Sequence, residues 1–415
     1  MRLRITIACA AVVALALLSQ YAATWIAVGD TTERGTDFST SYVAALLIRE
    51  GHGAQLYDQQ LEQQRHLALL PPGTHITLPF LTPATTAVLA LPFTWLDLAA
   101  ASRLMSVLQV LALLTAILIA IRAAPWPSTT PRGARAAVTL AALAGVPTLV
   151  LLLLAQLDGV CALGLAGAYA AWRRDRNFVA GLLLGITVLG VKPHLALGLA
   201  VFMLARRDWR ALGGFMASAC VVGLTALAVG GPSAITGFIA ASTASLSSTP
   251  ANQTIGLPGL VASWLGGTEA AVALDVVLIG VCLAACVRFG VRSRSTHHFE
   301  LDLLGVTALS LALSPHLYVY DLVLLAPAFA WSMAIAARAE RSAWPGRATL
   351  AGIAAWIVGN LVVQLDVGNA AMAPPGRVAP LALVAVAVVA WRTGTTTTGR
   401  SEVRPARAAA IAPRS

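Results

Sequence analysis

Long apolar runs, separated by short polar segments, make up nearly the whole chain. The first run extends from Ile5 to Val28, and similar runs recur to about residue 391. A helix of roughly 20 apolar residues is long enough to cross the hydrocarbon core of a membrane. The pattern therefore predicts an all-α, polytopic helical membrane protein with about 10–13 transmembrane helices and short re-entrant or hairpin segments.

The composition excludes several other classes. Hydrophobic residues make up 58% of the 415 residues and charged residues only 11%, whereas a soluble domain is nearer one quarter charged. The net charge of +10 does not indicate nucleic-acid binding, because the arginines cluster in short loops, as cytoplasmic loops do. No phosphate loop or nucleotide-binding fingerprint is present. The five cysteines lie inside apolar segments without metal-site or disulfide spacing.

The charged N-terminus sets the predicted topology. Met1–Arg4 precedes the first apolar run, and the run is read as an uncleaved helix, with a cleaved signal peptide as the alternative. The polar stretch 29–79 then forms the first outer loop. We predict a single membrane domain over residues 1–391, followed by a disordered, basic cytoplasmic tail over 392–415.

Two apolar segments must form hairpins, because each lies between two cytoplasmic arginine clusters. In Asn177–Ala205 each arm has about 14 residues and spans about 21 Å, less than the roughly 30 Å of a hydrocarbon core. The apex Lys192–His194 is therefore expected below the outer surface. Phe299–Ala337 has a similar apex at Ser314–Asp321, and a third apex is Gln156–Asp158. We expect the three apices and the first outer loop to converge.

The topology of residues 80–121 stays open at this point. Phe80–Leu98 and Ala101–Ile121 resemble two spans, but two spans would place Arg122, Arg132 and Arg135 outside. Either Phe80–Leu98, which contains two prolines, is re-entrant or interfacial, or the arginine loop departs from the positive-inside rule.

Several polar residues at these positions admit two interpretations. Asp37 could cap the helix that follows it or act as a general base at the outer mouth of the bundle. Lys192, the only lysine, could be a buried ion-pair partner or a functional cation. His194 could be a satisfied core histidine, and His316, Tyr320 and Asp321 could form a structural network.

A general base beside cationic groups that lie below the outer surface suits the transfer of a group from a lipid phosphate. Lys192 or a protonated histidine can stabilise the phosphate leaving group, and the acceptor hydroxyl needs a base, for which Asp37 is the candidate. Nucleotide sugars are cytosolic, so a sugar donor at an outward-facing site is expected to be lipid-linked.

The ordered motifs resemble glycosyltransferase family 87 from about residue 30 to 330. Each motif is short, but their order and spacing are fairly specific. They are Thr36-Asp37-Phe38, Leu56-Tyr57-Asp58, Thr82-Pro83, Leu91-Pro92-Phe93, Ala155-Gln156-Leu157-Asp158, Ala180–Gly185, Val191-Lys192-Pro193-His194, Asn252-Gln253-Thr254 and Ser314-Pro315-His316 with Tyr320-Asp321-Leu322.

The resemblance implies an inverting GT-C-fold enzyme that uses a polyprenyl-phosphate sugar, most often mannose, at the outer face of the cytoplasmic membrane. It implies that Asp37 is the catalytic base, that His316 lies at the active site, and that Lys192 and His194 lie near the lipid phosphate. The family often has Gly where this chain has Ala155 and Asn where it has Asp158.

The remaining expectations concern substrates and partners. The partners are the polyprenyl-phosphate sugar donor, a lipid or glycan acceptor and membrane lipids; no nucleic acid, cofactor or required metal is expected. A transporter or flippase of a lipid-linked sugar is the alternative function, and a non-enzymatic membrane scaffold would leave the convergent apices unexplained. The further substrate-binding candidates are Tyr57, Gln156, Asp158, Asn252, Gln253, Tyr320 and Asp321.

Overall fold

The fold is built from helices alone in the part of the chain that is described. The computed structural model describes residues 2–29, 36–73, 78–248, 254–295, 299–339, 356 and 379–401, and these contain no strand. The α-helices are Arg2–Ala27, Phe38–Arg49, Gln59–Leu69, Ala84–Ala90, Leu98–Ala123, Arg132–Leu143, Val146–Leu154, Asp158–Trp172, Asn177–Leu184, Pro193–Arg206, Trp209–Ser248, Leu257–Leu265, Glu269–Arg292, Phe299–Ala312, Leu325–Ala339 and Ala379–Ser401. The short helical turns are Gly53–Gln55, Leu91–Trp95, Gly185–Leu189, Ser293–Ser295 and Val319–Leu324.

Several of these helices are long and apolar enough to cross a membrane. The described residues hold five such helices, or six if the bent pair Arg132–Leu143 and Val146–Leu154 forms one span. The prediction of 10–13 helices refers to the whole chain, and several apolar segments in its described part are shorter helices that break at polar apices. The protein is thus an all-α, multi-pass membrane protein in which broken helices accompany full spans.

The segment whose topology stayed open does not contain two spans. Ala84–Ala90 has seven residues and Leu91–Trp95 five, too few to cross a hydrocarbon core. The long helix Leu98–Ala123 begins beside them at Asp97, whose carboxylate accepts hydrogen bonds from the Ala99 and Ala100 amides. The structure thus favours the re-entrant or interfacial alternative for Phe80–Leu98.

The first predicted hairpin is present, and it breaks at the predicted apex. The Asn177 amide donates to both carboxylate oxygens of Asp208 at 3.0 Å, so the two ends of the segment meet. A π-helical turn, Gly185–Leu189, precedes the break, and Lys192 has a non-helical backbone. Pro193 then occupies the first position of the returning helix, where its missing N–H costs no hydrogen bond.

The second hairpin also returns on itself. The Trp331 indole donates to the Glu300 carbonyl at 3.0 Å, which joins Phe299–Ala312 to Leu325–Ala339. Between them the chain turns through Ser314–Tyr318 and the 3-10 turn Val319–Leu324. The apex of this hairpin therefore lies at the end of the bundle that is remote from Glu300.

Small residues allow the hairpin helices to pack closely. A Cβ built on Gly181 would lie 1.7 Å from the Ala211 carbonyl oxygen, and one on Gly164 would lie 1.6 Å from Thr187 Oγ1. Close approach over small residues is a common way to associate helices in lipid, where burial of apolar area gives little driving force.

The C-terminal helix departs from the predicted tail. Ala379–Ser401 continues beyond Trp391, and the Thr393 hydroxyl donates to the Val389 carbonyl at 2.8 Å. The apolar first half of this helix packs on the core through Leu383 and Ala387, which extends helical structure into the segment that composition alone predicted to be disordered. Residues 402–415 lie outside the described residues.

Candidate active site

The predicted convergence of the polar apices is confirmed by one cavity of about 970 Å³. Its wall includes Asp37, which directly precedes Phe38–Arg49, Gln156 from the turn before Asp158–Trp172, and Lys192 and His194 from the first hairpin. The second hairpin contributes His316 and Tyr320. Residues that are far apart in the chain thus face one space.

The Asp37 side chain lines the cavity and does not cap the helix that follows it. It stands at the N-cap position of Phe38–Arg49, yet its side chain makes no capping hydrogen bond. Its carboxylate instead accepts from the Gln156 side-chain amide. Burial raises the pKa of Asp37, and the hydrogen bond from Gln156, the charge of Lys192 and a hydrogen bond from Tyr320 act in the opposite direction. Such a carboxylate is suited to take up a proton.

A turn with a strained backbone places the Gln156 side chain against Asp37. Ala155 has φ 53°, in the left-handed region that L residues other than glycine rarely adopt. The next helix starts at once, and its first turn packs so tightly on Leu98–Ala123 that a Cβ on Gly159 would lie 2.2 Å from the Gln109 carbonyl oxygen. The Gln109 side-chain oxygen also accepts from the Val160 amide at 3.1 Å. These contacts set the position of the turn.

Lys192 is paired with two carboxylates behind the cavity wall. Its Nζ lies 2.8 Å from Asp158 Oδ2 and 2.6 Å from Asp321 Oδ1. Both aspartates are fully buried, and Lys192 is only 7% exposed. The Tyr320 ring covers the ammonium at 4.2 Å from Nζ to the ring centroid. The contacts of Lys192 are therefore those of a buried ion-pair partner.

Two histidines lie on another part of the wall. The His316 Nε2 and Ser245 Oγ atoms are 3.2 Å apart, and the His194 and His316 ring centroids are 6.3 Å apart. Among the described residues, His194 Nε2 is buried without a hydrogen-bond partner. Burial lowers the pKa of His316, so this side chain is neutral at pH 7 in the empty cavity and can accept a proton when an anion binds.

Part of the wall is apolar and reaches the surface of the helix bundle. Phe238, Ile239 and Leu246 line the cavity, and Ile239 and Leu246 are 58% and 60% exposed. They follow the kink at Gly231, where φ is 63°. Sequence reasoning missed this wall and Ser245; the only signal was a group of hydroxyl residues, Ser242–Ser245, after the Gly-Pro kink in an otherwise apolar helix.

Three sequence-predicted residues that the structure describes, Tyr57, Asp158 and Asp321, do not line the cavity. Asp158 and Asp321 lie behind Lys192. Tyr57 donates to the Thr82 carbonyl at 2.9 Å and packs on Phe80, so it supports the segment Leu78–Thr82 that forms part of the wall. Asn252 and Gln253, though expected at the site, lie outside the described residues.

No metal cluster is evident in the portion of the chain that is described. No group of three or more His, Cys, Asp or Glu side chains there is arranged to hold an ion. The expectation that the reaction needs no metal stays a prediction.

The fold and the cavity define a multi-pass helical membrane protein with a carboxylate and histidines around a pocket that has an exposed apolar wall. The sequence profile described as glycosyltransferase family 87 matches residues 80–315, more than half of the 415 residues. The chain belongs to glycosyltransferase family 87 and is a membrane glycosyltransferase. The match covers Gln156, Asp158, Lys192 and His194, but it ends before His316 and does not include Asp37. No curated protein and no solved structure matches the chain.

Proposed function

We propose that the protein transfers a sugar from a polyprenyl-phosphate donor to a hydroxyl of a lipid or glycan acceptor at the outer face of the cytoplasmic membrane. Mannose is the first sugar to test, because the family resemblance points to it. The observation that carries the proposal is that Asp37 and the pair His316–Ser245 face one cavity, part of whose wall is formed by exposed apolar side chains.

The reaction is a single displacement. The acceptor oxygen bonds to the anomeric carbon as the bond from that carbon to the phosphate oxygen breaks. The acceptor proton passes to the carboxylate of Asp37, and the electron pair leaves with the lipid phosphate. Attack from the face opposite the phosphate inverts the anomeric centre.

The polar wall has one part suited to take the proton of the acceptor hydroxyl and another suited to stabilise the negative charge of the leaving phosphate. The carboxylate of Asp37, held by Gln156, lies where a proton is taken up. His316, which lies beside Ser245, can supply a hydrogen-bond donor for the leaving phosphate. His194 adds a ring nitrogen that has no hydrogen-bond partner among the described residues. Gln156 and Tyr320 remain candidates to orient the sugar.

Transfer in reconstituted vesicles tests the proposal. Purified protein would receive radiolabelled polyprenyl-phosphate-mannose and a lipid and glycan acceptor extract, with Asp37→Asn as the matched control. We expect a labelled product with the wild type and at least a hundredfold less with the variant. Equal transfer by both proteins would remove Asp37 as the base. Binding of the donor without transfer by the wild type would direct the assay to other lipid-linked sugars, and absence of donor binding would contradict the donor class.

A further inference from the structure

The ion-paired cluster of Asp158, Lys192 and Asp321 is hard to reconcile with phosphate binding by Lys192. Two of the three ammonium donors point to carboxylates at 2.8 and 2.6 Å, and the Tyr320 ring covers the ammonium at 4.2 Å. Little of the ammonium remains available to a ligand. Lys192 therefore lies on the cavity wall with its main contacts directed behind that wall.

The charges of the cluster lead to the same conclusion. One ammonium and two carboxylates are almost completely removed from water, and two ionised carboxylates would leave a net charge of −1. Among the described residues, Asp158 Oδ1 is buried without a hydrogen-bond partner. With both carboxylates ionised the cluster is anionic, and with one proton shared between them it is neutral. Neither state is cationic, whereas a site for phosphate requires positive charge.

The cluster joins three distant parts of the chain at the cavity. Lys192 is 34 residues from Asp158 and 129 residues from Asp321. The second Asp321 oxygen accepts from the Tyr318 amide at 2.6 Å and so caps the turn Val319–Leu324. Each ion-pair partner thus fixes the backbone of one apex.

The neighbours of the two aspartates are the groups that contact Asp37. Gln156, two residues before Asp158, donates to the Asp37 carboxylate. Tyr320, which precedes Asp321, lies against Lys192, lines the same cavity as Asp37 and acts to lower the pKa of the Asp37 carboxyl. A shift of either apex would therefore move a polar group that stabilises the carboxylate of the proposed base.

We propose that Asp158, Lys192 and Asp321 form one ion-paired unit that positions the Asp37 carboxylate through Gln156 and Tyr320, with Lys192 a positioning residue that does not bind the substrate phosphate. The inference rests on the proposed function for its reaction. It assigns to Lys192 a role different from the one implied by the family resemblance.

Single substitutions that neutralise one aspartate distinguish the two possible roles of Lys192, positioning of Asp37 and binding of the substrate phosphate. Asp158→Asn and Asp321→Asn each leave Lys192 with one carboxylate, so each removes one negative charge and keeps a buried pair. We expect donor KM to stay within about threefold of wild type and kcat to fall at least tenfold. A lysine that binds phosphate would become more available, and donor KM would then fall at least fivefold, which would overturn the proposal.

A matched control separates positioning from stability. Asp208 is also a buried aspartate, and it accepts from Trp172 and Asn177 away from the cavity. Asp208→Asn is expected to lower the melting temperature and leave kcat within twofold of wild type. If the two cluster variants behaved as Asp208→Asn does, the unit would be structural only and the proposal would be wrong.

The triple variant Asp158→Asn/Lys192→Met/Asp321→Asn tests Lys192 directly, because it removes the ammonium without leaving an unpaired buried carboxylate. We expect it to fold and to bind the donor within threefold of wild type. A loss of donor binding above tenfold in the folded triple variant would overturn the proposal. If the triple variant does not fold, the two single variants still show whether Lys192 positions Asp37 or binds phosphate. Transfer by the wild type is measured in parallel, so that failure of the proposed function is recognised separately as absence of wild-type product.

Discussion

The side-chain amide of Gln156 donates a hydrogen bond to the carboxylate of Asp37, a residue 119 positions earlier in the chain. The contact explains why Asp37, although it stands where a helix cap is expected, leaves the amides of its own helix uncapped. Two other acids of the chain, Asp58 and Asp97, occupy the same helical position and do cap, each with two backbone amides. Asp37 therefore stands at a cap position, whereas its side chain is bound by Gln156 at the cavity wall.

Replacement of Asp37 and of Asp58 by alanine should have contrasting effects. Asp37→Ala is expected to lower kcat by roughly 10²–10⁴, the usual contribution of a general base, with little change in the free energy of unfolding, because no cap is lost. Asp58→Ala should cost about 1 kcal/mol of stability and leave kcat near wild type. Transfer kinetics and thermal unfolding of both variants in detergent provide the check. The same loss of activity in both variants would contradict the assignment of the base.

Gln156 should control the pH at which activity appears. Its hydrogen bond holds down the pKa of Asp37, which burial raises. Because Asp37 must be ionised to accept a proton, activity is lost as pH falls through that pKa. Gln156→Leu removes the stabilising donor, so the acid limb of the kcat profile should move to higher pH, and Gln156→Glu should move it further. An unchanged acid limb in both variants would show that Gln156 does not act on the base.

His316 should make donor binding dependent on pH. Burial lowers its pKa, so the ring is neutral in the empty site and takes up a proton more readily beside an anionic phosphate. In the Asp37→Asn background, where the donor is not consumed, affinity should rise as pH falls below about 6.5, the ordinary histidine pKa. His316→Gln should give a flat dependence and a Kd about tenfold higher. A pH dependence that survives this substitution would assign the effect to another group, with His194→Gln as the next variant to measure.

The hairpin apices could be predicted from sequence because their cause is local. Lys192 is followed by proline inside an apolar segment with arginine clusters on both sides, and each of these features restricts the chain independently. The same logic placed the turns at Gln156–Asp158 and Ser314–Asp321. Convergence of the apices follows from length, since arms too short to cross the membrane leave their apices at one depth.

The contacts among the apices could not be predicted, because they depend on how the helices pack. No pattern in the sequence indicates that Lys192 pairs with Asp158 and Asp321 rather than facing a phosphate. Ser245 lies in the helix Trp209–Ser248, and only the course of that helix around the kink at Gly231 brings Ser245 beside His316. The role expected for Tyr57 was likewise drawn from a motif, whereas its hydroxyl is used by the Thr82 carbonyl.

Ala155 offers a test of backbone strain at the site. With φ 53°, an L residue costs roughly 1–2 kcal/mol relative to glycine, although glycine also gains up to about 1 kcal/mol of entropy in the unfolded chain. Ala155→Gly should therefore be within about 1 kcal/mol of wild type and remain active. Ala155→Val should be clearly less stable and slower, because a β-branched residue fits this region poorly and a shifted turn moves Gln156. If valine were tolerated as well as glycine, the turn would not constrain Gln156.

Stability should fall at alkaline pH because of Glu62. This side chain in Gln59–Leu69 is 2% exposed, and burial raises its pKa from 4.5 to about 8, against a backbone hydrogen bond from Phe80. A group with a raised pKa in the folded state gives its full contribution to stability below about pH 4.5 and loses that contribution as pH rises through about 8. Ionising it inside the fold should cost on the order of 1–3 kcal/mol.

The melting temperature of the wild type should accordingly decline between about pH 4.5 and 8, the interval between the two pKa values of Glu62. Glu62→Gln should flatten that decline, since the amide does not ionise. Glu50 is a suitable control, because its carboxylate pairs with Arg65 at 2.8 Å and is 32% exposed, so Glu50→Gln should retain the wild-type slope. If Glu62→Gln and the wild type declined in parallel, the buried carboxyl of Glu62 would not be the group that couples folding to pH.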